Sequence, residues 1–412
     1  MQILFIHQAF PAQFSSFVAD LISRGHEVHG IGASPGRASP EGCRHHLYDD
    51  PRPEDLPDGL SDPQLEVSLI RAERVAELGQ TLSHQGVKPD VVVVHSGWGE
   101  GLYLRDLWPD ALLLAYPELY GQPALLQLDD PDAPPPTDQR LRLLRRQNLL
   151  ALAALADADA LWTPTLFQRN SFPAPWRGRL QVIHEGVDTR RNAPQPGRRI
   201  QARHDLELGS DDLVLTFVSR SLEPLRGFCR FMRSLPPLLQ AHPRLQVVVV
   251  GGDGHSYSPP SPHPLGYLGE MREQLGSSLD PDRFHALGLL EPEQLTALLQ
   301  VTTVHAYLSH PYVLSWSLLE AMACAAVVVG SDTAPVREVI QHQQNGLLAP
   351  LHDLDRLVAT IDGVLRDPPA HRHLGTAARQ TILSRFRHDK GQRSFHDWLI
   401  SLRLLQTARG KP

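Results

Sequence analysis

Short apolar runs alternate with amphipathic stretches along nearly the whole of this chain. In the first half the runs fall at Ile3–Ile6, Glu27–Ile31, Val91–His95, Leu112–Tyr116, Ala160–Thr163 and Leu180–Ile183. In the second they fall at Leu213–Val218, Leu245–Val250, Phe284–Leu287, Val304–Leu308, Val327–Gly330 and Gly346–Ala349. Between them lie helical patterns such as Gln13–Ser23 and Arg140–Ala156, and the last pattern is Ser394–Leu405. Continuously apolar strands separated by helices are what a parallel sheet buried on both faces requires. Two such sets in series predict an α/β chain of two doubly wound, Rossmann-like domains. Ligands of such sheets sit beyond the carboxyl ends of the strands, so two domains facing across a cleft suit a reaction that joins two substrates.

The two prolines and one glycine of Asn192–Arg199 suit a linker. The expected domains are therefore 1–195, 196–385, and a C-terminal helix, 386–412, packing back toward the first domain. Asp130–Pro136 reads as a structureless loop within the first domain.

Composition narrows the class. The chain has 412 residues, enough for two cores, with 42% apolar and 21% charged positions. Its formal charge of −7 argues against a nucleic-acid partner bound through bulk positive charge. Three scattered cysteines, Cys43, Cys229 and Cys324, read as buried thiols in a reducing, cytoplasmic setting. The 21 histidines show no HExxH spacing, so no metal is assigned. Met1–His7 reads as a first buried strand, and no run of about 18 apolar residues exists to span a bilayer.

The segment Ser309–Cys324 reads as strand end, loop and helix start near Ser315, Trp316 and Ser317. A helix N-terminus offers unpaired N–H groups and partial positive charge to a diphosphate, and Ser315 or Ser317 would cap it. Glu320, one or two turns on, is placed to accept both hydroxyls of a ribose; the alternative is a solvated helix carboxylate. Arg220 and Arg226, in Val218–Phe228, are positioned to clamp a diphosphate with planar guanidinium forks; the alternative is two surface arginines. Gly251 and Gly252 open a glycine-rich turn where backbone can approach a ligand closely. His95 ends a buried strand before Ser96–Glu100, placed either to bond a sugar hydroxyl or to close a loop.

These stretches resemble glycosyltransferase family 4. Leu318–Cys324, Gly330–Asp332 and Glu338–Ile340 match its "LLEAMACG…SD…PE(V/I)I" signature, and Arg220 with Pro224–Gly227 is similar to its "GR…PEKG". The resemblance covers most of the chain and is strongest across 220–349. It implies the GT-B fold, a nucleoside-diphosphate sugar donor held mainly by the C-terminal half, and retention of configuration without a bound metal or other cofactor. Glu320 is implied as the ribose ligand, His95 as a contact of the donor sugar, and Leu287, Gly288 and Leu289 as the place of the base. Arg226 stands where the family has Lys, keeping the charge. The family's first signature Glu is replaced by Tyr312, so this is a variant branch. The family's N-terminal Gly-Gly pair is missing from His7–Phe14, where Gln8 or Gln13 substitute side-chain amides or face the acceptor. Glu118 and Arg169 are further acceptor-side candidates. Val182–Asp188 resembles "vIpNGvD", with Gly186 turning the chain and Asp188 capping the residues after it.

The expected partners are therefore a nucleotide-sugar donor and a glycan or lipid-linked acceptor. The helix bearing Arg140, Arg142, Arg145 and Arg146 suits either a solvated covering face or peripheral contact with an anionic membrane. Two other functions fit the same architecture: a sugar-nucleotide epimerase, and a degenerate nucleotide-sugar-binding protein without turnover.

Overall fold

The structure, a computed structural model, describes residues 1–60, 62–123, 137–204, 206–254, 256 and 258–408. They fall into two compact units, one of 1–123, 137–186 and 388–408, the other of 187–387. The loop expected at 130–136 lies outside the described residues.

The first unit is built on seven parallel strands in the order β3-β2-β1-β4-β5-β6-β7. They are β1 (Gln2–Ile6), β2 (Glu27–Ser34), β3 (Arg44–Asp49), β4 (Val91–His95), β5 (Leu112–Tyr116), β6 (Ala160–Thr163) and β7 (Leu180–Val182). Alternate residues of each strand enter opposite cores. Ile3, Phe5, Val91 and Val93 pack with Phe14, Phe17 and Phe395 on one face. Leu4, Ile6, Val92 and Val94 pack with Val75, Trp108 and Leu155 on the other. The C-terminal helix, His388–Ala408, belongs to this unit: Phe395 stacks on Phe17 at 4.6 Å, and Gln392 donates to the Ser16 carbonyl at 2.9 Å.

The second unit holds six parallel strands in the order β12-β11-β10-β13-β14-β15. After the antiparallel pair β8 (Arg199–Arg203) and β9 (Leu206–Gly209) come β10 (Leu213–Ser221), β11 (Leu245–Gly252), β12 (Phe284–Ala286), β13 (Val304–Tyr307), β14 (Val327–Ser331) and β15 (Leu347–Ala349). Leu215, Phe217, Val247 and Val249 enter one core, while Val214, Val248 and Val250 enter the other. Both sheets are thus buried on two faces, the condition that wrote continuous apolar runs into the sequence.

Two elements differ from expectation. Strand β3, Arg-His-His-Leu-Tyr-Asp, is an edge strand whose only fully buried side chain is Tyr48, so it carries no apolar run. The units divide at Gly186/Val187, ahead of the proline-rich stretch expected to be the linker. Val187 is buried among Leu318, Met322 and Ile382 and donates to the Phe386 carbonyl, which draws 187–192 into the second unit. The residues after 196 then form the β8–β9 hairpin rather than free linker. Cys229 and Cys324 are buried, whereas Cys43 is only half-buried. On the helix Asp138–Asp157, Arg140, Arg142 and Arg145 are exposed and Arg146 pairs with Asp62 at 3.6 Å. No described helix is long and apolar enough to cross a membrane.

Candidate active site

The carboxyl ends of β10 and β13 make the centre of the second unit's candidate site. After β10 the chain turns through Pro224–Arg226 and enters the helix Phe228–Ala241 at Gly227. Gly227 is left-handed, with φ +74°, and a side chain there would meet the Leu308 carbonyl oxygen at 2.0 Å. Only glycine lets the turn lie this close to the end of β13. The approach delivers the half-buried Arg226, which donates to the Val313 carbonyl at 3.3 Å and lies over the Tyr312 ring at 5.3 Å.

Across from it the helix Trp316–Ala323 begins. Ser315 caps it by accepting from Ser317 N at 3.3 Å, and the Tyr307 hydroxyl accepts from Ser315 N at 2.9 Å. The Ser317 hydroxyl reaches back to the Val218 carbonyl at 3.3 Å, tying this helix start to β10. A small cavity is lined by Val218, Ser219, Arg226, Tyr307, Ser309 and Ser315 among others. A guanidinium and the opening turn of a helix thus share one small space, with electrostatics suited to an anion. Trp316, in the first turn of that helix, is 44% exposed.

Arg220 is not part of this group: it is exposed at the end of β10 and does not line the cavity. At this strand end, where the pairing of β10 with β11 is irregular, Ser219 is buried and Arg220 is exposed. Of the two expected clamp arginines, the structure brings only Arg226 to the helix start.

Gly251 and Gly252, at the end of β11, lie beside this strand end. Gly252 accepts from Leu222 N at 3.0 Å, Gly251 donates to the Gly288 carbonyl at 2.9 Å, and a side chain on Gly251 would strike the Ser219 carbonyl at 2.6 Å. Near them Leu287 is partly buried, Gly288 takes φ +69° and Leu289 is 71% exposed. Glu223, fully buried, accepts from Ser256 N and Ser258 N at 2.9 and 3.0 Å and so fastens the segment after β11.

Glu320 is not the solvated carboxylate that its helix position allowed. Its side chain is 15% exposed, and Arg191 Nη2 lies 3.5 Å from its Oε1. Burial pushes the Glu320 carboxyl above its usual range, opposed by the Arg191 charge and by the Asn192 amide. Sequence reasoning missed Arg191 because it is distant from Glu320 along the chain. It missed the Tyr307 hydroxyl, the acceptor for Ser315 N, because Tyr307 ends a buried strand and reads as core.

In the first unit, His95 ends β4 with 2% exposure, ringed by His7 at 4.8 Å, Tyr116 at 5.5 Å and Trp98 at 5.9 Å. Its Nδ1 accepts from Gly97 N at 3.2 Å, which places the proton on Nε2. Burial pushes its pKa down to about 3, so the ring is neutral at neutral pH. Glu118 Oε2 lies 3.9 Å from that Nε2, and the Glu118 carbonyl accepts from Gln168 at 2.7 Å. His95 and Glu118 therefore come together. Gln8 contributes its backbone carbonyl to Ala33 N at 2.8 Å, while the Gln13 amide nitrogen and Arg169 Nε are buried with no hydrogen-bond partner among the described residues. Asp188 caps as expected, accepting from Arg190 N and Arg191 N. Among the described residues no group of three or more His, Cys, Asp or Glu side chains is arranged to hold a metal.

Comparison with known proteins gives a consistent picture. The family described as the glycosyl transferase family 4 group matches residues 24–191, and that of glycosyl transferases group 1 matches 199–381. A D-inositol 3-phosphate glycosyltransferase of Mycobacterium marinum is 30% identical over 192 residues, covering 46% of this chain and 37% of that protein. The match thus spans little more than a third of that relative's length. Among solved structures, sucrose-phosphate synthase from Thermosynechococcus elongatus aligns with a TM-score of 0.77 at 18% identity, covering 98% of this chain and 99% of that one. The Anabaena protein HepE, solved in complex with UDP and glucose, aligns with a TM-score of 0.68 at 16% identity, covering 97% and 100%. Those likenesses are of fold: two Rossmann-like α/β domains of the GT-B type.

Proposed function

The chain belongs to glycosyltransferase family 4, and from that premise we propose that it is a retaining transferase moving a sugar from a nucleoside-diphosphate sugar to a hydroxyl acceptor. The observation that carries the reading is the meeting of Arg226 with the capped start of the helix Trp316–Ala323 around one small cavity. Charge builds on the diphosphate as the glycosidic bond breaks, and fixed donors aimed at that charge lower the barrier more than they tighten ground-state binding. Arg226 and the helix start supply that positive potential. Glu320 takes the ribose hydroxyls, and the exposed Leu289 with Gly251 and Gly252 borders the base. The neutral His95 offers its Nε2–H to a sugar hydroxyl, oriented by Gly97 N on its other nitrogen. Retention comes from attack on the face from which the diphosphate departs, with a diphosphate oxygen accepting the acceptor's proton.

The acceptor is a hydroxylated molecule, and the name of the mycobacterial relative puts phosphorylated cyclitols among those to try first. A thermal-shift screen against UDP-, GDP-, ADP- and TDP-sugars tests the donor half: selective stabilisation by one names the nucleotide, and none at saturating concentration refutes it. Incubation with that donor alone separates transfer from epimerisation, since an epimerase converts the donor without an acceptor.

A further inference from the structure

Residues 187–193 form a strap fastened across the second unit at several points. Val187 N donates to the Phe386 carbonyl at 2.8 Å, and Asp188 Oδ1 accepts from Arg190 N and Arg191 N at 2.9 and 3.1 Å. Asn192, 1% exposed, accepts from the Thr296 hydroxyl at 2.8 Å, and Gln300 donates to the Ala193 carbonyl at 2.9 Å. Arg379 donates from one nitrogen to the carbonyls of both Asn192 and Ala323, the latter the last residue of the helix that bears Glu320. Arg379 therefore ties the strap to that helix. The strap delivers the Arg191 guanidinium, 3.5 Å from Glu320 Oε1.

We propose that Arg191 is the positioning residue for ribose recognition: it holds Glu320 as an ionised, oriented carboxylate whose two oxygens accept the 2′- and 3′-hydroxyls of the donor nucleoside. The inference rests on the donor-site reading above and adds to it a group that does not touch the nucleotide. An ionised carboxylate accepts a charge-assisted hydrogen bond at each oxygen, whereas a protonated one loses that charge and accepts only the weaker, neutral kind. Glu320 sits where burial favours the protonated form, and the charges around it are few. Arg191 faces it from the strap; the Cys324 thiol, pushed up to about 12, stays neutral; and Arg379 from the helix Pro368–Arg385 is engaged by carbonyls. Arg191 is thus the cation placed to keep this carboxylate charged. At 3.5 Å it does so without filling the acceptor positions that the hydroxyls need.

The test uses the full chain and the ratio of affinities for a ribonucleotide and its 2′-deoxy form. UDP against dUDP, GDP against dGDP and ADP against dADP are titrated calorimetrically into wild type, Glu320→Ala, Arg191→Ala, Arg191→Gln and Arg191→Lys. The wild type should prefer the ribo form of its nucleotide roughly tenfold, the loss expected of one hydrogen bond to a charged acceptor. Glu320→Ala should abolish the preference, Arg191→Ala and Arg191→Gln should remove most of it, and Arg191→Lys should restore part of it. As the pH is lowered, the preference should fade as Glu320 takes up its proton, and the neutral Arg191 variants should lose it at higher pH than wild type. A damaged fold weakens both nucleotides alike and leaves the ratio alone, and two neutral substitutions guard against one failing to fold. Should the Arg191 variants keep the wild-type ratio and pH dependence while Glu320→Ala loses them, Arg191 has no such role and the donor site stands. Should Glu320→Ala itself keep the ratio, or no diphosphate bind, the ribose reading falls and this proposal with it.

Discussion

Gly227 is the position at which one methyl group should do the most damage near the candidate site. Its φ of +74° costs an L-residue such as alanine about 1–2 kcal/mol. The added Cβ would also lie 2.0 Å from the Leu308 carbonyl oxygen, 2.5 Å from Leu308 Cβ and 2.7 Å from its carbonyl carbon. Two of those three atoms are backbone at the end of a central strand, so no side-chain rotation relieves the overlap. Forcing the turn and β13 apart adds about 1–3 kcal/mol, as overpacking does elsewhere. Gly227→Ala should therefore destabilise by about 2–5 kcal/mol, lowering the melting temperature by at least about 4 °C at 2–4 °C per kcal/mol. Differential scanning calorimetry reads this directly. Gly227→Asn separates the two causes, because asparagine tolerates the left-handed conformation but not the overlap, and it should melt nearly as early. Gly363→Ala is the control of opposite sign. It lies within the helix Leu354–Arg366 with nothing within 4 Å of a new Cβ, and should stabilise by about 0.5–1 kcal/mol. If Gly227→Ala melted within about 2 °C of wild type, the close approach that delivers Arg226 would not exist as described.

Three further outcomes are expected from the same geometry. Arg226→Ala should cost about 10²–10³-fold in kcat/KM for transfer while shifting the melting temperature by only a few degrees; a fully active variant would refute the diphosphate assignment. The buried His95 and His305 have folded pKa values near 3 against an ordinary 6.5, so the stability their neutral forms contribute is complete above about pH 6.5 and is lost on acidification. Glu100, raised to about 7, works oppositely and costs stability as pH rises from about 4.5, so net proton uptake on unfolding by these three groups is about one between pH 6.5 and 4.5 and about two below. The unfolding free energy from urea titrations should therefore decline as the pH falls from about 6.5, more steeply below about pH 4.5, and a flat profile would refute the burial of both histidines. Finally, because the His95 ring is already neutral, transfer rates should show no ionisation near pH 6.5 arising from it, which a pH–rate profile of wild type against His95→Gln checks.

Much of this protein is written locally. Runs such as Val91–Val94 and Val247–Val250 announce strands buried on two faces, because every position must be apolar when both sides are covered by helices. The signature around Glu320 and the Pro224–Gly227 turn could be read for the same reason: a capped helix start and a left-handed glycine are properties of neighbouring residues. Strand β3 could not be read so, being a polar edge strand held by its pairing with β2 rather than by its own pattern. Nor could the division into compact units at Gly186/Val187, which depends on where Val187 finds its apolar neighbours.

Packing, in contrast, settled which of the charged groups meet. It kept Arg226 at the helix start, left Arg220 exposed at the end of β10, and set Arg191 against Glu320 through a strap tied to the helices around it. It also gave His95 its neutrality, by closing the ring in among His7, Trp98 and Tyr116. Local sequence carries the periodicity of an element and the chemistry of its caps. Electrostatic pairing and desolvation depend on distances between residues far apart in the chain, and those distances exist only after the sheets have packed.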